Sequence, residues 1–251
     1  MSEPAPVRPH ADLGRYYDGG ERGRRDFVRD IFDLTAGDYD RVERMMAFGT
    51  GSWYRRRALE RSGLSAGARV LDVAIGTGLV AREAVTLVGS PKLVTGLDPS
   101  AGMVVRARRV LATPLVLGTG ESLPFADASF DFLSLGYALR HLADLRAAFG
   151  EFHRVLRPGG TVCLLEITPP RSGPGRALLR LYVRGVIPLL TRLTTRHRQT
   201  ALLWQYFWDT MEGCVPPERV LETLAAAGFG GASRFVELGM FSEYTGRRPA
   251  L

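Results

Sequence analysis

Residues 70–78 read Val-Leu-Asp-Val-Ala-Ile-Gly-Thr-Gly, and a second carboxylate, Asp98, stands twenty residues after Gly78. The apolar run from Val70 to Ile75 has the length and continuity of a strand buried on both faces. Gly76 and Gly78 then supply a turn where backbone can approach a ligand closely, and a helix follows from about Leu79. Asp98 closes the next apolar run, Leu93 to Leu97. In a parallel βαβ unit a carboxylate at that place reaches the diol of a ribose at the same sheet edge. Residues 70–98 therefore predict a nucleoside-containing cofactor, and they constrain the fold to an open α/β sheet.

The rest of the chain continues that alternation. Strands are expected at 70–75, 92–98, 114–117, 130–136 and 161–167, with helices at 79–88, 100–111 and 144–156 between them. Two further strand-like runs, 233–238 and 240–245, follow a helix that Pro217 starts and Gly228 stops. This is an α/β pattern: a doubly wound, mostly parallel seven-stranded sheet with a C-terminal antiparallel hairpin. Residues 171–212 interrupt it with a mostly helical insertion. Upstream, residues 1–25 read as a flexible leader and 26–67 as an N-terminal helical cap, leaving 68–251 as the main domain.

Composition narrows the class. The chain has 251 residues, 45% of them hydrophobic, enough for one large domain with a substantial core. No apolar run reaches the roughly 20 residues that span a bilayer, and the first ten residues lack a signal-peptide pattern, so a cytoplasmic protein is expected. Cys163 and Cys214 are too few for a disulfide framework, and four scattered histidines give no metal-ligand spacing, so no metal is expected. The net charge of +7 is carried almost wholly by arginine, Lys92 being the only lysine. Such charge suits a solvated surface, nucleic acid or an anionic membrane.

Three features argue against a nicotinamide dinucleotide, and Asp72 is the first. A dinucleotide pyrophosphate at the start of the helix would be repelled by a carboxylate four residues before Gly76. A methionine-derived ammonium would be attracted to it. The loop Gly118-Thr119-Gly120-Glu121-Ser122-Leu123-Pro124-Phe125, after the third strand, has the place of an adenine pocket, and the terminal hairpin replaces a second mononucleotide half.

Together these residues resemble the class I S-adenosylmethionine-dependent methyltransferases. The flanks resemble the ubiquinone/menaquinone C-methyltransferases within that class: Phe32-Asp33 to Tyr39-Asp40, Met46-Ala47-Phe48-Gly49, Trp53, Leu139-Arg140-His141, Glu151 to Gly160 and Ala227-Gly228-Phe229. The resemblance spans about residues 33–248. It implies that Asp72, Gly76, Thr77 and Gly78 surround the methionine portion of S-adenosyl-L-methionine. Asp98 would take the ribose, Thr119 and Gly120 the adenine, Gly136 would lie beneath the sulfonium, and Tyr39 would close over the cofactor. The chain departs from the family pattern at Ile75 (usually glycine), Thr119 (usually Asp or Asn) and His141 (usually Asn).

The expected chemistry is transfer of a methyl group to a lipophilic aromatic or quinol-like small molecule. An aromatic carbon becomes nucleophilic when a neighbouring hydroxyl loses its proton, and a base helps most when its pKa lies near neutrality. His141 is the candidate base or relay, and Arg140 the candidate holder of the oxyanion. The insertion reads as a lid, with Tyr182, Trp204, Tyr206 and Trp208 as its aromatic contacts and Arg176, Arg180, Arg184, Arg192, Arg196 and Arg198 interspersed. A peripheral membrane contact and a homodimer are compatible with this reading; nucleic acid is not the expected partner. The alternatives are O-, N- or C-methylation in a secondary-metabolite pathway, an RNA methyltransferase, a cofactor-binding non-enzyme and a nicotinamide oxidoreductase.

Overall fold

The computed structural model describes residues 5–10, 13–37, 39–46, 50–170, 173–186 and 198–250. Ala47, Phe48 and Gly49 of the N-terminal signature lie outside these residues, as do 187–197 of the insertion, with Arg192 and Arg196. Three helices lead in: α1 (Gly20–Thr35), α2 (Tyr39–Met46) and α3 (Gly51–Arg61). The alternating part follows as β1 (Val70–Val73), α4 (Leu79–Val88), β2 (Val94–Asp98), α5 (Ala101–Val110), β3 (Leu115–Leu117), β4 (Phe130–Gly136), α6 (Leu145–Val155) and β5 (Leu156–Ile167). The insertion supplies α7 (Gly173–Leu181), a short π-helical turn (Tyr182–Val186) and α8 (Arg198–Glu212). The chain ends with α9 (Pro217–Ala226), β6 (Gly230–Glu237) and β7 (Phe241–Arg247).

The seven strands form one sheet in the order β3-β2-β1-β4-β5-β7-β6. β1 lies parallel between β2 and β4, with Asp72 level with Gly96 and Ser134. β7 runs antiparallel to β5 and to β6, so the expected terminal hairpin caps one end of the sheet. The fold class is the one expected from the sequence.

The period of two along β1 explains the two layers. Leu71 and Val73 enter one core with Phe149 and Phe152 of α6 and Val220 and Leu224 of α9. Val70 enters the other with Ala58 and Leu59 of α3 and Ala81 and Ala84 of α4. The chain order reverses between β1 and β4, and in open α/β sheets ligands bind beyond the carboxyl ends of strands at such a reversal.

The N-terminal segment differs from the flexible leader expected. α1 begins at Gly20, and among the described residues before it Val7 and Pro9 are tied down. Val7 N–H donates to Asp144 Oδ1 (2.8 Å), Leu145 N–H donates to Val7 O (2.9 Å), and Val215 N–H donates to Pro9 O (2.7 Å). The physical reason is that Val7 is a core residue packed on the α6 layer, a contact too distant in sequence to show in local composition.

Candidate functional site

The turn after β1 is held by backbone geometry. Gly76 and Gly78 have φ of 57° and 90°, in the left-handed region where glycine carries no steric penalty. The two differ in what surrounds them. A Cβ on Gly78 would lie 2.5 Å from Leu111 Cδ1, whereas one on Gly76 would meet nothing within 4 Å. Gly76 therefore borders open space, and Gly78 is a packing requirement. Ala74 (φ 53°) and Tyr137 (φ 59°) end the adjacent strands β1 and β4 in the same strained region, at a cost of roughly 1–3 kcal/mol each. Ile75, where the family pattern has glycine, sends its side chain across Gly96 of β2, where an added Cβ would sit 2.2 Å from Ile75 Cδ1.

Two buried carboxyls flank the turn. Asp72 is 1% exposed. Ser134 Oγ–H donates to its Oδ1 (2.6 Å), while Oδ2 is buried with no partner among the described residues. Burial pushes this carboxyl up to about 7, against the opposing pulls of the Ser134 hydroxyl and of the Ala81 backbone N–H at the start of α4. Asp98 accepts from Gly76 N–H (2.8 Å) and Ser100 N–H (2.9 Å), so it braces the turn as well as marking the end of β2. Burial raises it to about 6. Asp33, on α1, accepts from Ser100 Oγ–H and Gly102 N–H, and Asp40, on α2, accepts from Thr77 Oγ–H. The N-terminal helices are thereby tied to the glycine turn and to the start of α5.

Two cavities open on the strand ends and share Ala74 in their walls. The first is lined by Val73, Leu97, Pro99, Gly118, Thr119, Gly120, Ala138, His141 and Leu142, with α1 across it. It joins the ends of β1, β2, β3 and β4, and Thr119 and Gly120 stand in its wall. The second is lined by Tyr39, Gly76, Thr77, Gly136 and Tyr137 on the sheet side. Tyr54 and Arg55 of α3, and Leu179, Tyr182, Val183, Trp204, Phe207 and Met211 of the insertion, complete its wall. Gly136 is required there because a Cβ would lie 2.6 Å from Val80 Cγ2 of α4.

The proposed catalytic pair is not assembled as expected. His141 lies in the wall of the first cavity, stacked on Tyr206 (centroids 5.7 Å, 21°) and edge-on to Phe32 (5.2 Å). Both ring nitrogens are buried without a hydrogen-bond partner among the described residues. Burial, with Arg140, His10 and Arg24 adding to it, holds the ring well below the usual histidine range, so it is neutral at pH 7. Arg140, 1% exposed, lines neither cavity. It pairs with Glu166 at the end of β5 and lies under the Phe207 ring, 4.0 Å from the centroid. Of the four lid aromatics, Tyr182 and Trp204 line the second cavity. Tyr206 packs on Tyr16 and Phe27 of the N-terminal region, and Trp208 is core of the insertion, its indole N–H donating to Glu212.

Sequence reading missed Arg55, Glu43, Glu166 and Arg24. A signal for Arg55 was present: Tyr54, Arg55, Ala58 and Leu59 are the buried residues of α3, the i, i+1, i+4, i+5 pattern of an inward face. Arg24 is buried likewise, its Nη1 donating to His141 O (3.0 Å) and its other edge held by Glu21.

These groups fit a sulfonium nucleoside of methionine. A buried carboxylate oxygen without a partner stands beside an open glycine turn, where an ammonium satisfies it and a pyrophosphate would be repelled. Solved structures share the fold. They include a possible histamine N-methyltransferase from Thermotoga maritima (TM-score 0.62, 18% identity, 88% of this chain and 99% of that one). The [4+2]-cyclase SpnF also matches (TM-score 0.64, 19% identity, 90% and 97%), so the fold alone does not fix the reaction. Among sequences, the chain is 30% identical over 236 residues to the ubiquinone/menaquinone biosynthesis C-methyltransferase UbiE of Geotalea daltonii, covering 91% of this chain and 98% of the relative. It is 31% identical over 224 residues to the demethylmenaquinone methyltransferase of Thermus thermophilus, covering 87% and 100%. The model of the ubiE/COQ5 methyltransferase family matches residues 20–240. With the match running over most of its length, this chain belongs to the ubiE/COQ5 methyltransferase family, whose members are S-adenosylmethionine-dependent methyltransferases.

Proposed function

We propose that this enzyme methylates a ring carbon of a lipophilic quinol-type aromatic. The observation that carries the reading is the second cavity. It begins at Gly76, Thr77 and Gly136 and is walled by Tyr39, Tyr54, Tyr137, Tyr182, Trp204, Phe207 and Phe241. An apolar, aromatic-lined cavity suits a flat hydrophobic acceptor. The names of the UbiE and demethylmenaquinone methyltransferase relatives support the same acceptor class.

When bound, S-adenosylmethionine supplies the methyl group as an electrophile on a sulfonium centre. Asp72 holds the ammonium, Asp98 fixes the turn and meets the ribose, and Thr119 and Gly120 border the adenine. Gly136 and the strained Tyr137 form the floor under the reacting centre, and the aromatic wall excludes water. Arg140 acts from behind that wall: clamped by Glu166, it sets the position of Phe207. His141 belongs to the cofactor cleft rather than to proton transfer from the acceptor.

The mouth of the cavity carries Trp53 (57% exposed) and Leu238 (76% exposed), and α7 exposes Leu178 and Leu181 beside Arg180 and Arg184. No described helix is long and apolar enough to cross a membrane. These side chains support a peripheral contact through which a membrane-dissolved acceptor enters. The test is to incubate the enzyme with S-adenosylmethionine and demethylmenaquinol in anionic vesicles. Menaquinol and S-adenosylhomocysteine in equal amounts are expected. Turnover of soluble phenols or amines with none of the quinol would overturn the proposal.

A further inference from the structure

The methionine end of the cofactor carries a carboxylate as well as an ammonium, and the groups assigned so far account only for the ammonium. Among the residues lining the second cavity, Glu43 and Arg55 are the charged ones. Arg55 is 4% exposed, and one edge of its guanidinium is paired with Glu43. Its Nε is buried with no hydrogen-bond partner among the described residues. A guanidinium N–H left bare in an apolar wall is unfavourable unless an anion arrives to accept from it.

Space has been kept for this pair. Gly51, at the first turn of α3, lies where a Cβ would be 2.6 Å from Glu43 Oε1 and 3.0 Å from Arg55 Nη1. The same wall contains Gly76 and Thr77, and behind the turn stands Asp72 with its bare Oδ2. One buried cation and one buried anion, each with an unused hydrogen-bonding atom, therefore flank a single glycine turn. The complement of that arrangement is an α-amino acid zwitterion.

We propose that Arg55 binds the carboxylate of the cofactor's methionine moiety, opposite the ammonium held by Asp72, with Glu43 as the positioning residue that fixes the guanidinium. The inference rests on the cofactor assignment and adds the partner of its carboxylate. Charge supports it. Asp72 and Glu43 with Arg55 leave one net negative charge, matching the one net positive charge of the sulfonium form. A simple anion gains little from Arg55 beside Glu43; a zwitterion placed between Arg55 and Asp72 engages both.

The experiment is calorimetric titration of the protein with S-adenosylhomocysteine and with its decarboxylated analogue, 5′-(3-aminopropylthio)-5′-deoxyadenosine. The wild type should prefer S-adenosylhomocysteine by roughly 10- to 100-fold, the range of a charge-assisted hydrogen bond. Arg55→Met should lose that factor for S-adenosylhomocysteine while binding the decarboxylated analogue as before, and Arg55→Lys should recover part of it. Equal weakening toward both ligands would make Arg55 merely structural. A wild type without preference for the carboxylate would overturn the proposal even if Arg55→Met does not fold. Unchanged binding of both ligands by Arg55→Met, with slower turnover of the acceptor, would move the guanidinium to the acceptor's oxygen and also overturn it. Failure of the wild type to bind either ligand would instead break the cofactor assignment itself.

Discussion

Asp72→Asn separates what the buried carboxyl does for the fold from what it does for the ligand. In the unfolded chain this carboxyl loses its proton near its ordinary 3.8; in the folded protein burial holds the proton until about 7. Between those values the folded state binds more protons, so stability falls as pH rises through the window. A rise from 3.8 to about 7 corresponds to about 4 kcal/mol lost by pH 8. Asparagine removes that penalty and its carbonyl still accepts from Ser134, but its amide N–H groups are left bare in the place of Oδ2, costing about 1–3 kcal/mol. The cofactor-free variant should then be about 1–3 kcal/mol more stable than wild type at pH 8, and less stable at pH 4.5. For a chain of this size the gain corresponds to a melting temperature raised by roughly 2–10 °C. Calorimetric titration at pH 8 should show S-adenosylhomocysteine binding weakened by roughly 10- to 100-fold, the loss of a charge-assisted contact. The assays are thermal melts of both proteins across pH 4.5–8 and that titration. A stability difference of the same sign at both ends of the range, or unchanged affinity, would refute the reasoning.

Three further outcomes follow from the same geometry. Because Asp72 must ionise to hold the ammonium, affinity for S-adenosylmethionine should rise about tenfold per pH unit below 7 and level off above it. Titrations in buffers of different ionisation enthalpy should register about one proton released below pH 7. His141→Asn should leave the pH–rate profile unshifted and alter cofactor affinity instead, since the ring lines the first cavity; a displaced profile would restore it as the base. Glu166→Gln leaves Arg140 buried without its counter-charge and should cost about 3–5 kcal/mol in chemical denaturation.

The turn at 76–78, the alternation of strands and helices around it and the terminal hairpin were legible because they follow from local rules: an apolar run of strand length, glycines where φ is positive, and alternation of strand and helix. Asp72 was legible because a carboxylate inside a buried strand must either cap the turn that follows or meet a ligand. The lid was legible only as a segment. Consecutive aromatics on α8 point in different directions, so Trp204, Phe207 and Met211, at i, i+3 and i+7, face the cavity while Tyr206 and Trp208 do not. Arg140 and His141 do not face one cavity for a similar reason: they share one tight turn, Leu139–His141, from which His141 reaches the first cavity and Arg140 turns to Glu166. Glu166, which captures Arg140, lies 26 residues away on a neighbouring strand, a pairing that only the register of β4 with β5 creates. The packing of Val7 on the α6 layer was hidden in the same way.

The central claim is that the methyl group of the cofactor ends on a ring carbon of a quinol-type acceptor in the cavity beside Gly76 and Gly136. The direct measurement is turnover of demethylmenaquinol with S-adenosylmethionine labelled with carbon-13 in its methyl group, followed by carbon NMR of the extracted product. The account predicts a labelled aryl-methyl carbon. A labelled methoxy or N-methyl carbon, or cofactor consumed with no label in the quinone, would contradict it.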